Sequence, residues 1–166
     1  MTARRLLLAV LGSALLVSVL GGVRGAVALA ASRTPAIEIS VIHATRADAG
    51  ASIDPRLRDL PQLTRDEPFL RYNVYTLLDR KVLALDPDRP ATSVLPNGRT
   101  LQVTLADVGE DAGGKRFHVR AEIGEPGKKA FLKLLEVTAS ANEPFFVGGQ
   151  SYEGGTLFLE FVVRRQ

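Results

Sequence analysis

The chain has 166 residues, no cysteine and no tryptophan, and 21 basic against 18 acidic side chains, a formal net charge of +3. Without cysteine it forms neither disulfides nor thiolate metal sites, so packing alone must stabilise the fold. The scarcity of aromatic residues also disfavours a sugar-binding domain, because such domains stack aromatic faces on their ligand.

The first thirty residues, Met1–Ala30, have the layout of a secretory signal peptide. Arg4 and Arg5 form a basic start, residues 6–20 are an uncharged apolar run, and small residues alternate just before residue 30. We therefore expect export to the periplasm or the extracellular space. Cleavage is expected after Ala28 or after Ala30.

The alternative for this segment is a retained inner-membrane anchor, which needs about 20 apolar residues. The apolar run is shorter than that, and Arg24 would fall inside the membrane if the span were extended. The Arg4–Arg5 pair leaves both ordinary secretion and twin-arginine export open. The lack of cysteine excludes a lipid-anchored lipoprotein.

The net positive charge of the chain comes from the predicted export segment. Arg4, Arg5 and Arg24 lie within the first thirty residues, where there is no acidic residue, so the remainder carries 18 basic and 18 acidic side chains. A neutral domain lacks the basic surface that nucleic acids attract. We therefore expect no nucleic-acid partner.

Residues 31–35 read as a short tether, and residues 36–166 as one all-β domain. Apolar and polar residues alternate along several segments, which indicates half-buried strands. We predict a single antiparallel β-sandwich or an open barrel of about seven strands. Eight segments are candidates for these strands, namely residues 36–45, 69–78, 81–85, 92–95, 101–105, 116–123, 131–138 and 157–163.

Local signals predict the connections. Asp54–Pro55 matches a helix N-cap followed by proline, so one short helical turn is expected near residues 55–60. Asp79–Arg80 is read as a turn, and Asn97–Gly98 as a tight hairpin turn. Residues 109–114, rich in glycine and aspartate, are expected to form a loop.

Two strands are assigned places in the sheets. The continuous apolar run Phe131–Thr138 suits a strand near the centre of a sheet, although a short helix there stays open. Lys81–Leu85 or the C-terminal segment Leu157–Val163 is expected to be an exposed edge that accepts a partner strand. The alternative for the C-terminal segment is that the charges of Arg164 and Arg165 prevent a partner strand from pairing with it.

The Gly148–Gly155 segment is the candidate binding site. Two glycine pairs flank Gln150, Ser151 and Tyr152, and the segment is expected to be a wide hairpin loop. Such a loop would present the Gln150 and Tyr152 side chains to a protein or peptide. No phosphate-binding motif accompanies it.

Catalytic motifs are missing from the sequence. His43 and His118 have no metal-ligand spacing, and Gly149–Gln150–Ser151–Tyr152–Glu153 departs from the Gly-x-Ser-x-Gly motif of serine hydrolases. His43 is expected at the edge of the core, and His118 in solvent. We predict no catalytic residue, no metal site and no cofactor.

The expected function is therefore that of an exported, non-enzymatic cell-envelope β domain, with a protein-binding or structural accessory role. Two alternatives stay open. One is an exported hydrolase whose site is assembled from Asp, Glu, His and Ser residues distant in sequence. The other is a β-barrel that binds a small apolar ligand inside.

Overall fold

Nine β-strands dominate the structure, a computed structural model that describes residues 34–128 and 130–164. The predicted signal peptide, residues 1–30, lies outside the described residues. Among the residues that are described, no helix is long and apolar enough to span a membrane. The strands are β1 (Ala36–Thr45), β2 (Ser52–Ile53), β3 (Val74–Ala84), β4 (Ala91–Val94), β5 (Thr100–Asp111), β6 (Gly114–Gly124), β7 (Phe131–Ser140), β8 (Pro144–Tyr152) and β9 (Gly155–Arg164).

The strands form two sheets that pack as a sandwich, which confirms the predicted fold class. The larger sheet has the order β2-β3-β1-β9-β8, and the smaller sheet has the order β4-β5-β6-β7. Neighbouring strands are antiparallel except for the short parallel pair of β2 and β3. The described strands do not close into a barrel.

The main core lies between the two sheets. Alternate residues of the central strands point inward, so the period-two pattern of the sequence matches the buried face. The alternation predicted for residues 117–123 is confirmed, because all four inward side chains are buried. The central strands contribute Ile37, Ile39, Val41, Leu101, Val103, Leu105, Phe117, Val119, Ala121, Ile123, Leu157, Leu159, Phe161 and Val163.

A second apolar cluster covers the outer face of the larger sheet. The chain between β2 and β3 makes three short 3-10 helices, Pro55–Leu57, Pro61–Thr64 and Phe69–Arg71. The first confirms the predicted helical turn, since Asp54 Oδ1 accepts a hydrogen bond from the Arg56 backbone N–H at 3.0 Å. The segment buries Leu57, Leu63 and Phe69 against Ile42, Ala44, Tyr75, Leu77 and Phe158 of the sheet.

The predicted strand at 69–78 is confirmed only over residues 74–78, and the predicted turn at Asp79–Arg80 is wrong. Phe69 belongs to the covering segment, and β3 runs without a break from Val74 to Ala84. The register with β1 shifts between Val41 and Ile42, which leaves an extra residue, Leu78, in β3. Asp79 and Arg80 fit within a strand because each has a polar partner. Asp79 forms an ion pair with Lys81 at 2.8 Å, and Arg80 Nε donates a hydrogen bond to Ser40 Oγ at 3.1 Å.

The hairpin at Asn97–Gly98 is confirmed, and only Gly98 takes a positive φ, +76°. The predicted loop at 109–114 is wrong. Strand β5 continues to Asp111 and β6 starts at Gly114, so two residues make the turn. An ion pair of 2.6 Å between Arg116 Nε and Asp111 Oδ2 spans this hairpin end.

Candidate functional site

The outer strands of the two sheets are where another protein could add to this fold. The sheet orders end at β2 and β8 in the larger sheet and at β4 and β7 in the smaller one. An outer strand exposes unpaired backbone N–H and C=O groups, so natural proteins usually protect it. The four edges differ in how well they are protected.

The outer edge of β3 is covered beside Leu77 by the side chains of Asp54 and Arg56, whereas along residues 79–84 the strand that pairs with β3 is β1. The Asp54 carboxylate accepts the backbone N–H of Leu77 at 3.2 Å, and Arg56 Nη2 donates to the Leu77 carbonyl at 2.9 Å. The Asp54 backbone N–H also donates to the Tyr75 carbonyl at 2.9 Å. The bond from Arg56 holds the pKa of Asp54 well below its usual range, so its carboxylate stays ionised.

Two other edges are poor templates for pairing. Strand β4 has only four residues. Strand β8 begins with Pro144, which has no backbone N–H, and its register shifts between Gly148 and Gln150. At the shift Gly149 has a φ of +112°, a β-bulge that bends the edge away from a partner.

Strand β7 is the least protected edge. It has ten residues without proline or glycine, and within the described chain only β6 pairs with it. Its register with β6 shifts once, at Leu134, where no glycine or positive φ bends the strand. Leu132 is 58% exposed and Phe131 is 37% exposed. The prediction of a central position for this segment is therefore wrong. The apolar run of β7 reflects partial burial at the side of the sandwich. Lys133, a residue type that is common on edge strands, was the sequence signal for an edge position.

The side of the sandwich between β7 and β8, here called the β7–β8 seam, is incompletely covered. A cavity of about 100 Å³ lies there, lined by residues of both strands and by Glu143 of their link. Most of the partly buried apolar side chains on the main core of the described chain belong to this side. They are Leu134, Leu135, Val137, Ala141, Phe145, Val147 and Tyr152, and the remaining one is Leu83.

Charged residues cover the outer face of β6 and β7. The Glu136 carboxylate accepts hydrogen bonds from Lys133, from His118 Nε2 at 2.9 Å and from Arg120 Nη2 at 3.3 Å. These donors, Lys133 first, lower the pKa of Glu136 to about 2. The carboxylate is therefore ionised at neutral pH and accepts hydrogen bonds from three basic side chains, two on β6 and one on β7.

The predicted wide loop at Gly148–Gly155 is wrong, because most of it is strand. Strand β8 continues to Tyr152, and Glu153 and Gly154, with φ of +41° and +75°, make a two-residue turn. A Cβ added at Gly148 would overlap the Phe158 ring, and one at Gly155 would overlap the Ala44 carbonyl oxygen. These two glycines permit close packing.

The three predicted site residues therefore lie on the β8 edge strand. Gln150 Oε1 accepts a hydrogen bond from Arg99 Nη1 at 2.8 Å, which joins β8 to the hairpin end of β5. The Tyr152 ring packs edge to face on His43 at 5.3 Å. Ser151 is exposed. Two of the three side chains thus make contacts within the domain, and their role in partner binding stays a prediction.

The two histidines lie in different sheets. His43 Nε2 donates to the Tyr152 carbonyl at 3.1 Å, and His118 bonds to Glu136 with its Nδ1 3.3 Å from Thr138 Oγ1. Within the described residues, no group of three or more His, Asp or Glu side chains is placed to hold a metal ion. The hydrolase alternative stays a hypothesis whose strongest support is the His118–Glu136 pair on an open sheet face.

A larger cavity of about 390 Å³ lies at the turn after β3 and is lined by Thr34, Ala84, Asp86, Arg89, Pro90 and Ala91. Asp86 and Arg89 form an ion pair of 3.6 Å within this turn. The lining differs from the Phe- and Leu-lined interior that a small-ligand barrel would need. Comparisons of the chain with protein-family models, with curated proteins and with solved structures give no match.

Proposed function

We propose that this domain is a non-enzymatic protein-binding module of the cell envelope that docks a partner along β7. The observation that carries the proposal is the contrast between edges: β3 is covered beside Leu77 by Asp54 and Arg56, β8 begins with a proline and bends at Gly149, and β7 extends over ten residues with neither proline nor glycine. The expected export signal in residues 1–30 supports the compartment.

The chemistry of β7 suits a partner in extended conformation. Every second residue of an edge strand directs its backbone N–H and C=O away from the sheet, and a partner strand gains affinity by bonding to them. Leu132 adds an exposed apolar anchor at one end, and the partly buried side chains of the β7–β8 seam add apolar surface beside the strand.

Site-specific photo-crosslinking tests this function. A photoreactive amino acid replaces Leu132 in cells of the protein's own source, and Val82 of β3, 59% exposed, is the matched control position. We expect a crosslinked adduct from position 132 and none from position 82. A third probe at the exposed Ser151 tests the predicted site on β8. Equal labelling from 132 and 82, or none from 132, would contradict docking on β7.

A further inference from the structure

We infer that the partner of β7 is β7 of a second copy of this chain, paired antiparallel about a two-fold axis between Leu134 and Leu135. This inference rests on the function proposed above and identifies the protein that docks there. In the resulting dimer the two four-stranded sheets would continue as one eight-stranded sheet. The register of this pair depends on which β7 side chains share a face.

The register between β6 and β7 assigns those faces. Lys133 and Glu136 lie opposite Glu122 and Arg120, on the outer face of the sheet. Leu132, Leu135 and Val137 lie opposite buried residues of β6, on the inner face. The register shifts at Leu134, which adds one residue to β7. Because of this bulge, Lys133 and Glu136 share a face although they are three residues apart.

This bulge selects the register of a two-fold pair. In an antiparallel pair, residues directly opposite each other lie on the same face. With the axis between residues 134 and 135, Lys133 lies opposite Glu136 of the second copy, and Leu132 lies opposite Val137 of that copy. Outer residues then meet outer residues at the pair 133–136, and inner residues meet inner ones at the pair 132–137. An unbulged strand in this register would set outer residues against inner ones.

The charges are complementary in this register. Lys133 and Glu136 already attract each other within one strand, and the two-fold axis places each beside its opposite charge on the second copy. The exposed Leu132 is covered at the same time by Val137 of that copy. A bulge normally rejects foreign strands, but a copy with the same bulge at the same place matches it.

Charge reversal tests this dimer with the purified exported protein, whose mass is measured by light scattering during gel filtration. We expect a dimer for the unchanged chain. Lys133→Glu, which sets carboxylates opposite each other, and Glu136→Lys, which sets two ammonium groups opposite each other, should each raise the dimer dissociation constant about tenfold. Lys115→Glu, at an exposed position of β6, is the control and should stay dimeric. Circular dichroism verifies that each variant is folded.

The decisive sample is an equal mixture of the two single variants. Each Lys133→Glu chain then meets a Glu136→Lys chain with opposite charges at both positions, so a heterodimer should form at concentrations where each variant alone is mostly monomeric. No dimer in the mixture, or dimers that resist both single changes, would overturn the inference. A monomeric protein whose Leu132 probe captures a different protein would overturn it while leaving the proposed function intact. No capture at all would overturn both.

Discussion

The Asp54 carboxylate takes the place of a neighbouring strand beside Leu77. It accepts a hydrogen bond from the Leu77 backbone N–H at 3.2 Å. Arg56 completes the substitution by donating to the Leu77 carbonyl at 2.9 Å. Two side chains from a short 3-10 helix thus occupy the backbone groups that an added strand would use. The edge of β3 is therefore closed to an added strand beside Leu77, whereas within the described chain β7 is paired by β6 alone.

Replacing Asp54 with alanine should open the β3 edge. The change removes the cap of the first 3-10 helix and leaves the Leu77 N–H without its acceptor, so the melting temperature should fall by about 3 °C. The exposed edge should also increase aggregation on heating, measured by light scattering. Asp59→Ala, at an exposed position of the same segment, is the control. Equal behaviour of the two variants would argue against edge protection by Asp54.

The domain should lose stability in acid when the Glu136 carboxylate becomes protonated. Its pKa is lowered from 4.5 to about 2, chiefly by Lys133, so the fold favours the ionised form. That contribution is fully present above about pH 4.5 and is lost as the pH falls through about 2. Carboxyl-carbon NMR should give a midpoint near pH 2, and Lys133→Met should move it upward. An unchanged midpoint in that variant would show that Lys133 has little influence on the carboxylate.

Gly155 should tolerate no side chain. An added Cβ would overlap the Ala44 carbonyl oxygen and lie 2.6 Å from His43 Nε2, and a backbone atom in a paired strand has little room to move. We expect Gly155→Ala to lower the free energy of unfolding by about 1–3 kcal/mol in urea titrations. Gly109→Ala, which meets no atom within 4 Å, should change it by at most about 0.5 kcal/mol. Similar losses at both positions would contradict the packing role.

Several features of this protein are determined by short stretches of its sequence. The alternation along residues 117–123 identifies the buried face of β6, because successive side chains of a strand point to opposite sides. Asp54–Pro55 predicts the 3-10 helix, and Asn97–Gly98 predicts a hairpin, because capping and turn geometry depend on adjacent residues. The fold class follows from many such segments together.

Tertiary structure decided which strands became edges. Of the two segments predicted as alternatives for the edge, Leu157–Val163 lies between β1 and β8, while residues 81–84 lie in β3 beyond the two residues that pair with β2. Phe131–Thr138, predicted to be central, is exposed on one side. Leu157–Val163 and Phe131–Thr138 are both apolar, so their composition does not distinguish the two positions. Strand order depends on hydrogen bonds between segments far apart in the chain. The same applies to Gln150, whose partner Arg99 lies 51 residues away.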